Sequence, residues 1–250
     1  MLRVIFFTFL SISTLSLPVL LLSGCSSDDK KSDVPEKAFQ IAQEYEKDER
    51  FEEAIKRYQE VKNKFPYSKF ATMSELAIAD VSYKQESFPE AQVAYQAFKD
   101  LHPKHPQIDY VTFRLAMSFF SQLPSTVDRD LTLANSAILY FDEVTSQYPN
   151  SEHAKEAKEK RESTQKMLAG KEDYIANFYF IREKYDSALS RYEGLLRKFP
   201  GLGFDAQALS RAAISASKNG EPDKARKYLQ ELKSKFPKSA ELASAQKGVE

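Results

Sequence analysis

The chain has 250 residues, with 36 lysine or arginine residues balanced by 36 aspartate or glutamate residues. This balance argues against nucleic acid or a broad anionic surface as the main partner. The single cysteine excludes an internal disulfide, so packing alone must stabilise a fold of about 225 residues, which is long enough to bury a substantial core.

The first segment, residues 1–24, has the composition of a secretory signal. Arg3 precedes a mostly apolar run, and small residues follow it. The run is also nearly long enough to span a bilayer, so an uncleaved anchor carrying a free thiol is the alternative. The tetrapeptide LSGC at 22–25 resembles the bacterial lipoprotein box, in which the signal is cut before the cysteine. The resemblance implies N-palmitoyl and S-diacylglycerol groups on Cys25.

The residues after the cysteine indicate how the folded part is held. Ser26 stands where enterobacterial lipoproteins retained in the inner membrane have aspartate, so the resemblance favours the outer membrane. The polar stretch that completes residues 25–35 has no periodicity and is expected to be a flexible tether. Acyl chains contribute roughly 0.8 kcal/mol per buried CH₂, so we expect membrane attachment through the lipid anchor only.

The rest of the sequence is repetitive. Four aromatic–proline pairs, at prolines 66, 149, 200 and 237, are joined by a degenerate fifth copy, His102-Pro103. Large apolar side chains precede each proline by eight and five residues, which places them on one face of a helix. Proline disfavours helical geometry just before itself and ends that helix. Twelve residues before each proline stands an alanine, which indicates a close helix–helix approach: Ala54, Ala91, Ala137, Ala188 and Ala225.

A second helix is expected before each of these. Ala42 and Tyr45 precede Pro66 by 24 and 21 residues, and similar pairs recur later in the chain. The pattern resembles the tetratricopeptide repeat. It predicts an all-α fold, an α-solenoid of five tetratricopeptide-like helix pairs with a C-terminal capping helix near residues 239–250. Three serines that follow the prolines are expected to cap the next helix: Ser68, Ser151 and Ser239.

Two segments lengthen the repeats. Residues 122–132 interrupt the third pair with a loop, and residues 151–170 add a highly charged helix that is expected to link two halves. The expected N-terminal part, residues 36–123, holds repeats one and two and the first helix of repeat three. The expected C-terminal part, residues 124–250, holds the remainder of repeat three, the linking helix, repeats four and five and the cap.

No catalytic or metal-binding constellation is apparent in the sequence. His102 and His105 lie in a proline-broken turn, and no cysteine or further clustered histidine completes a metal shell. No nucleophile–base pair can be proposed from spacing, and the glycines form no phosphate loop. We therefore expect a binding protein without enzymatic activity, cofactor, metal or nucleic-acid partner.

The inner face of such a solenoid is built from the first helix of each repeat. Aligning these helices on their small residues predicts an aromatic groove with little charge, which suits an extended peptide with alternating aromatic side chains. The alternative is that these aromatics pack against the neighbouring repeat, because aromatic stripes at helical spacing are usually core. The groove candidates are Phe39, Gln43, Leu76, Asp80, Tyr83, Tyr110, Phe113, Met117 and Phe120.

Four segments, in this order along the chain, resemble the BamD family of lipoproteins from the outer-membrane β-barrel assembly machinery. The most specific is HPQIDYVTFRLAMS at 105–118, and the others are DRD at 128–130 and the stretches 148–161 and 174–200. The resemblance extends over the whole mature chain. The insertion before Asp128 departs from the family, because it is shorter than the family's loop.

The resemblance implies a scaffold that is lipid-anchored in the outer membrane and faces the periplasm. Its C-terminal repeats would dock on POTRA domains of the barrel-forming subunit, with Arg191 and Glu193 as docking candidates. Its N-terminal repeats would help to recognise and insert unfolded outer-membrane β-barrel proteins, and accessory lipoproteins are further expected partners. Two alternatives stay open: Arg191 is an ordinary exposed arginine, or the chain is a scaffold for peptidoglycan or envelope-division complexes. A lipid-anchored hydrolase is disfavoured by the missing catalytic constellation.

Overall fold

A computed structural model describes residues 31–249, so the predicted signal segment and the predicted lipidation at Cys25 lie outside the described residues. This part of the chain forms eleven α-helices and no β-strand. The helices are α1 (Pro35–Lys47), α2 (Phe51–Lys64), α3 (Lys69–Lys84), α4 (Phe88–Leu101), α5 (Ile108–Ser121), α6 (Thr132–Gln147), α7 (Ala154–Phe180), α8 (Tyr185–Lys198), α9 (Asp205–Lys218), α10 (Pro222–Lys235) and α11 (Ala240–Val249).

Consecutive helices pack against each other as five antiparallel pairs, and α11 covers α9 and α10 at the end. The alanine that precedes each proline is fully buried in all five repeats, because the neighbouring helix passes too close for a larger side chain. The core is divided among adjacent repeats rather than gathered in one centre. The predicted all-α solenoid of helix pairs is confirmed.

The second helix of each pair ends where the sequence predicts. Its C-cap residue is the aromatic residue or histidine immediately before the proline. At Phe65, for example, the backbone N–H donates to the Val61 carbonyl at 2.9 Å. The capping prediction is wrong for all three serines. Ser68 occupies the cap position of α3 without a side-chain cap bond, and the Ser239 hydroxyl has no hydrogen-bond partner among the described residues. The Ser151 hydroxyl accepts a bond from the His153 N–H at 3.2 Å, but His153 is itself the N-cap residue of α7, so this bond lies in the turn before the helix.

The charged linking segment and the first helix of repeat four form one helix of 27 residues, α7. Its beginning contacts repeat three, where Lys160 lies over the Phe120 ring, and its end contacts repeats four and five. Gly170 stands near the middle, but one glycine costs a helix only about 1 kcal/mol relative to alanine. The boundary that the sequence suggests at this glycine is therefore absent, whereas the division into parts at residue 123 stays a prediction.

Within residues 31–249, no helix is both long enough and apolar enough to cross a membrane.

Candidate partner-binding surface

Three of the predicted groove residues belong to the core. Phe39, Leu76 and Phe113 are buried, with Phe113 only 5% exposed. The Phe113 ring stacks on His153 at a centroid distance of 4.9 Å and an interplanar angle of 7°. Phe39 packs on Tyr58 from the second helix of its own pair. The prediction that these three side chains line an open groove is wrong, because the helix phase that faces inward also faces the next repeat.

The other groove candidates keep some solvent access. Gln43 is exposed, and the remaining five are half-buried. Several of the aromatic ones pack on neighbouring helices, as Phe120 does on Phe141 with ring centroids 6.2 Å apart. The half-buried candidates are Asp80, Tyr83, Tyr110, Met117 and Phe120. A ligand-binding role for these six residues stays a prediction.

Asp80 is the centre of a polar network between repeats two and three. Its Oδ1 accepts hydrogen bonds from the hydroxyls of Tyr95 at 2.5 Å and Tyr110 at 2.8 Å. Burial raises the pKa of the Asp80 carboxyl, while the two tyrosine bonds and the nearby Arg114 act in the opposite direction. The hydroxyl protons are held as well, because burial also raises the pKa of Tyr95.

Arg114 completes this network from helix α5. Its Nε donates to the Tyr95 hydroxyl at 3.3 Å, and its guanidinium carbon lies over the ring of Tyr83. The charge is thus held among tyrosines, which attract cations through their ring faces. We call Asp80, Tyr83, Tyr95 and Arg114 the Asp80 network.

A related arrangement occurs in repeats four and five, where each member stands 97 positions further along the chain but the arginine itself bonds the central residue. Arg211 donates from Nη1 to the Asn177 Oδ1 at 2.8 Å and to the Tyr192 hydroxyl at 3.0 Å. Burial raises the pKa of Tyr192 to about 12. Asparagine therefore replaces the central aspartate of the first network. We call the second set the Arg211 network, which consists of Asn177, Phe180, Tyr192 and Arg211.

An open groove of about 530 Å³ adjoins the Arg211 network. Its floor is polar: the amide of Asn177 and the carboxylate of Asp173, which accepts from Gln207 at 2.9 and 3.1 Å. Burial raises the pKa of Asp173, with Arg211 and Gln207 acting against it. Apolar side chains from three elements, namely the α5–α6 loop, α7 and the α8–α9 turn, line the rest of the groove together with Ser163 and Lys166. We call it the α7 groove, lined by Val127, Met167, Asp173, Tyr174, Asn177 and Phe204 among others.

The inward register of repeat four predicts a polar face with Asp173, Asn177 and Phe180, but sequence reasoning missed the two networks and the apolar side chains that complete the α7 groove. One signal was available, because Asp80 and Arg114 stand 34 residues apart, and so do Asn177 and Arg211. Another was Gly170 in the middle of a charged helix. A Cβ atom at Gly170 would lie 3.3 Å from Val127 Cγ1, so the missing side chain allows the α5–α6 loop to approach α7 closely.

The two docking candidates on α8 face different neighbours. Arg191 is exposed, and its Nη1 lies 3.3 Å from the Glu172 Oε2 on α7. Glu193 instead accepts from the Tyr228 hydroxyl at 2.8 Å, with Lys224 3.8 Å away. The structure does not bring them into one cluster, and their role in docking stays a prediction.

The histidine turn between α4 and α5 packs on an aromatic ring. His102 and His105 lie 4.7 and 5.1 Å from the Phe98 centroid, and His102 Nε2 lies 2.6 Å from Glu75 Oε2. Among residues 31–249, no group of three or more histidine, cysteine, aspartate or glutamate side chains is arranged to hold a metal ion.

Known proteins resemble this chain over most of its length. It is 29% identical to the outer membrane protein assembly factor BamD of Neisseria meningitidis serogroup A, over 90% of this chain and 91% of the relative. It is 25% identical to BamD of Rickettsia prowazekii, over 91% and 92%. Among solved structures, it is similar to a tetratricopeptide repeat protein of Parabacteroides merdae, with a TM-score of 0.44, 14% identity and coverage of 86% and 85%.

The family described as YfiO, outer membrane lipoprotein, matches residues 31–223. This match includes four of the five second-helix alanines, from Ala54 to Ala188, and ends at the start of α10. It confirms the resemblance to the BamD family that the sequence motifs indicate. The chain therefore belongs to the YfiO family of outer membrane lipoproteins, the family of the BamD assembly factors.

Proposed function

We propose that this chain is an outer-membrane protein assembly factor that acts as a scaffold and not as an enzyme. The observation that carries the proposal is its alignment with a BamD assembly factor over 90% of this chain and 91% of that relative. The architecture agrees, because stacked helix pairs offer long surfaces for protein partners.

The finer proposal concerns the partners. The C-terminal repeats dock on the POTRA domains of a barrel-forming subunit, and Arg191 contributes to that contact from the exposed face of α8. The N-terminal repeats contact unfolded barrel proteins through the candidates that keep solvent access, such as Gln43 and Tyr83. Accessory lipoproteins join the same assembly.

The proposed location is the periplasmic face of the outer membrane, where acyl chains on Cys25 anchor the protein. The tetrapeptide LSGC at 22–25 supports this location. A Cys25→Ser variant should leave the membrane fraction and appear in the soluble periplasmic fraction, whereas a Ser27→Ala control should remain with the membrane. A Cys25→Ser protein that still sediments with the outer membrane would contradict the lipid anchor.

Depletion in cells tests the function as a whole. If the chain is an assembly factor, loss of it should lower the amounts of many barrel proteins at once, while inner-membrane proteins keep their levels. Barrel proteins that stay at normal levels would contradict the proposal. Affinity purification is the second test. Co-purification of a barrel protein with POTRA domains would support the proposal, and co-purification of peptidoglycan enzymes alone would favour the envelope-division scaffold.

Photo-crosslinking tests the assignment of surfaces. A photoreactive residue at Arg191 should capture the POTRA-bearing subunit, and one at Gln43 should capture unfolded barrel proteins. The matched control is Leu139, an exposed apolar residue on α6 for which no partner is proposed. Equal capture from all three positions would contradict the assignment of different partners to the two surfaces.

A further inference from the structure

We propose that the turn between α2 and α3 lies against the phospholipid surface of the membrane that anchors the chain, with Tyr67 at the membrane–water interface and a lysine on either side. The inference rests on the proposed function for one point, the acyl groups on Cys25. That anchor is sufficient to attach the protein, so the additional contact sets how the first repeat is oriented on the membrane.

The first residues that the structure describes lie beside this turn. Lys64, the last residue of α2, donates from Nζ to the Ser32 carbonyl at 3.4 Å and pairs with the Asp33 carboxylate. Ser32 is seven residues after Cys25. A chain extends by at most about 3.6 Å per residue, so the anchor and Ser32 are at most about 25 Å apart. An anchor at Cys25 therefore keeps the end of α2 within reach of the membrane surface.

Tyr67 stands at the tip of the turn. The Ser68 N–H donates to the Phe65 carbonyl at 3.0 Å, which closes a β-turn with Tyr67 at its third position. The Tyr67 side chain is 102% exposed, the highest value for a large hydrophobic side chain among residues 31–249. Tyrosine is enriched at membrane–water interfaces, because its ring is apolar while its hydroxyl stays hydrated. Both the position and the chemistry of this side chain suit a membrane surface.

The equivalent turns of the other repeats lack such a side chain. The same backbone bond closes the turns at 102–105, 148–151 and 236–239. In repeats two to five the residue after the proline is exposed as well, but it is a lysine, an asparagine or a glycine: Lys104, Asn150, Gly201 and Lys238. The turn therefore does not require an aromatic residue at this position, and the only repeat that has one is the repeat next to the predicted anchor.

The charged side chains of the turn suit phosphate headgroups. Lys69 is exposed and pairs with no carboxylate among residues 31–249, and its Nζ lies 5.1 Å from the centre of the Phe70 ring. Lys64, also exposed, pairs with Asp33. A lysine stem can cover apolar surface while its ammonium stays in water, where it can meet a phosphate. The turn thus presents an aromatic side chain between two cationic ones.

The size of the turn favours a membrane over a protein partner. A stable protein–protein interface buries about 800 Å² on each partner, which is more than one projecting turn offers. A membrane contact can be much smaller, because the lipid anchor makes it an intramolecular event with a high effective concentration. One tyrosine and two lysines are then enough to bias the orientation of the first repeat.

Quenching of a fluorescent dye by labelled lipids tests this contact in the full-length lipoprotein. The acylated protein is reconstituted into vesicles of phosphatidylethanolamine and phosphatidylglycerol that also contain a lipid with a nitroxide on its headgroup. Asn63→Cys supplies a thiol for the dye in the last turn of α2, and Ser234→Cys supplies one at the matching exposed position of α10. An acylated Cys25 takes up no dye. We expect strong quenching at position 63 and weak quenching at position 234.

Tyr67→Ser isolates the contribution of the tyrosine. Because the side chain is exposed, helicity by circular dichroism should stay the same, whereas quenching at position 63 should fall roughly twofold as the turn leaves the membrane surface. Asn150→Ser changes the corresponding residue of the turn between α6 and α7 and should leave the quenching as it was. Unchanged quenching in Tyr67→Ser would overturn the proposal.

The remaining outcomes separate the contact from the proposed function. If the protein sediments with the vesicles but positions 63 and 234 are quenched equally, the membrane contact is wrong and the anchor stands. If the unsubstituted protein takes up dye and stays in solution, both the anchor and the contact are wrong. Quenching that appears only after a partner protein is added would mark the turn as a protein interface and overturn the proposal. If quenching is as expected but depletion leaves barrel proteins at normal levels, the assembly function fails while the membrane contact stands.

Discussion

The guanidinium carbon of Arg114 lies 3.6 Å from the centre of the Tyr83 ring, which joins the first helices of repeats two and three through a cation–π contact. The same arginine donates to Tyr95, whose hydroxyl in turn donates to Asp80. Four side chains from three helices thereby fix the alignment of two repeats. In a solenoid each repeat contacts only its neighbours, so such contacts between repeats govern stability.

Arg114→Met should lower the free energy of unfolding by about 1–3 kcal/mol, because it removes a half-buried cation–π contact and a hydrogen bond. It also removes the positive charge nearest to Asp80. Urea denaturation followed by circular dichroism measures the change. The control is Arg182→Met, since Arg182 lies 3.7 Å from the centre of the exposed Phe178 ring and should contribute less than about 1 kcal/mol. Equal effects of the two substitutions would contradict the importance of the network.

Asp80→Asn should change how stability depends on pH. Burial raises the pKa of Asp80 from its ordinary value of 3.8, so the folded state holds this proton more tightly than the unfolded state. That contribution is fully present below the ordinary value and is lost as pH rises through the raised one. The unfolding free energy of the unmodified protein minus that of the variant should therefore decrease as pH rises from about 4, then level off. A difference that increases with pH would contradict the raised pKa.

Phe113→Ala should destabilise the fold by about 3–5 kcal/mol, because the buried ring leaves a cavity beside His153 and Phe141. Thermal and urea unfolding measure this cost directly. Gln43→Ala is the control from the same set of groove candidates, and its exposed position should keep the change within about 0.5 kcal/mol. A Phe113→Ala protein of normal stability would mean that the side chain is not packed as described.

Arg191→Ala should leave stability nearly unchanged while weakening the contact with the POTRA-bearing subunit. The exposed pair with Glu172 contributes less than about 1 kcal/mol, so a binding defect could not be attributed to misfolding. Affinity purification or biolayer measurements with the POTRA domains give the readout. Arg226→Ala, which removes a comparable exposed pair with Asp223 on α10, serves as control and should bind normally.

The repeat architecture was predictable because two physical signals coincide in every copy. The alanine twelve residues before the proline must be small where helices touch, and the aromatic–proline step must end the helix. Both hold in the structure at Ala54 and Phe65, for example. The degenerate copy ending at His102 follows the same rule, which is why the unequal spacing of the prolines did not obscure the fold.

The binding surface was less predictable, because one helix face serves two purposes. Phe113 and Tyr83 both follow the inward phase, yet Phe113 is covered by the following repeat and Tyr83 keeps partial access. The two residues differ in their position along the repeat. Phe113 matches the buried Leu76, which stands 37 residues earlier, whereas Tyr83 stands seven residues after Leu76. The α7 groove depends on the approach of the α5–α6 loop to Gly170, a contact between segments about 43 residues apart that local patterns do not encode.

Helix α7 is continuous, so its length determines how repeats four and five are oriented relative to the repeats before them. Each residue of an α-helix turns the chain by about 100° and advances it by 1.5 Å. One residue inserted near Gly170 would therefore rotate repeats four and five by about 100° about the α7 axis. Tyr174 and Arg191 would then point away from their present directions while every repeat kept its own packing. The number of residues in this one helix therefore sets the direction in which the surfaces of repeats four and five face.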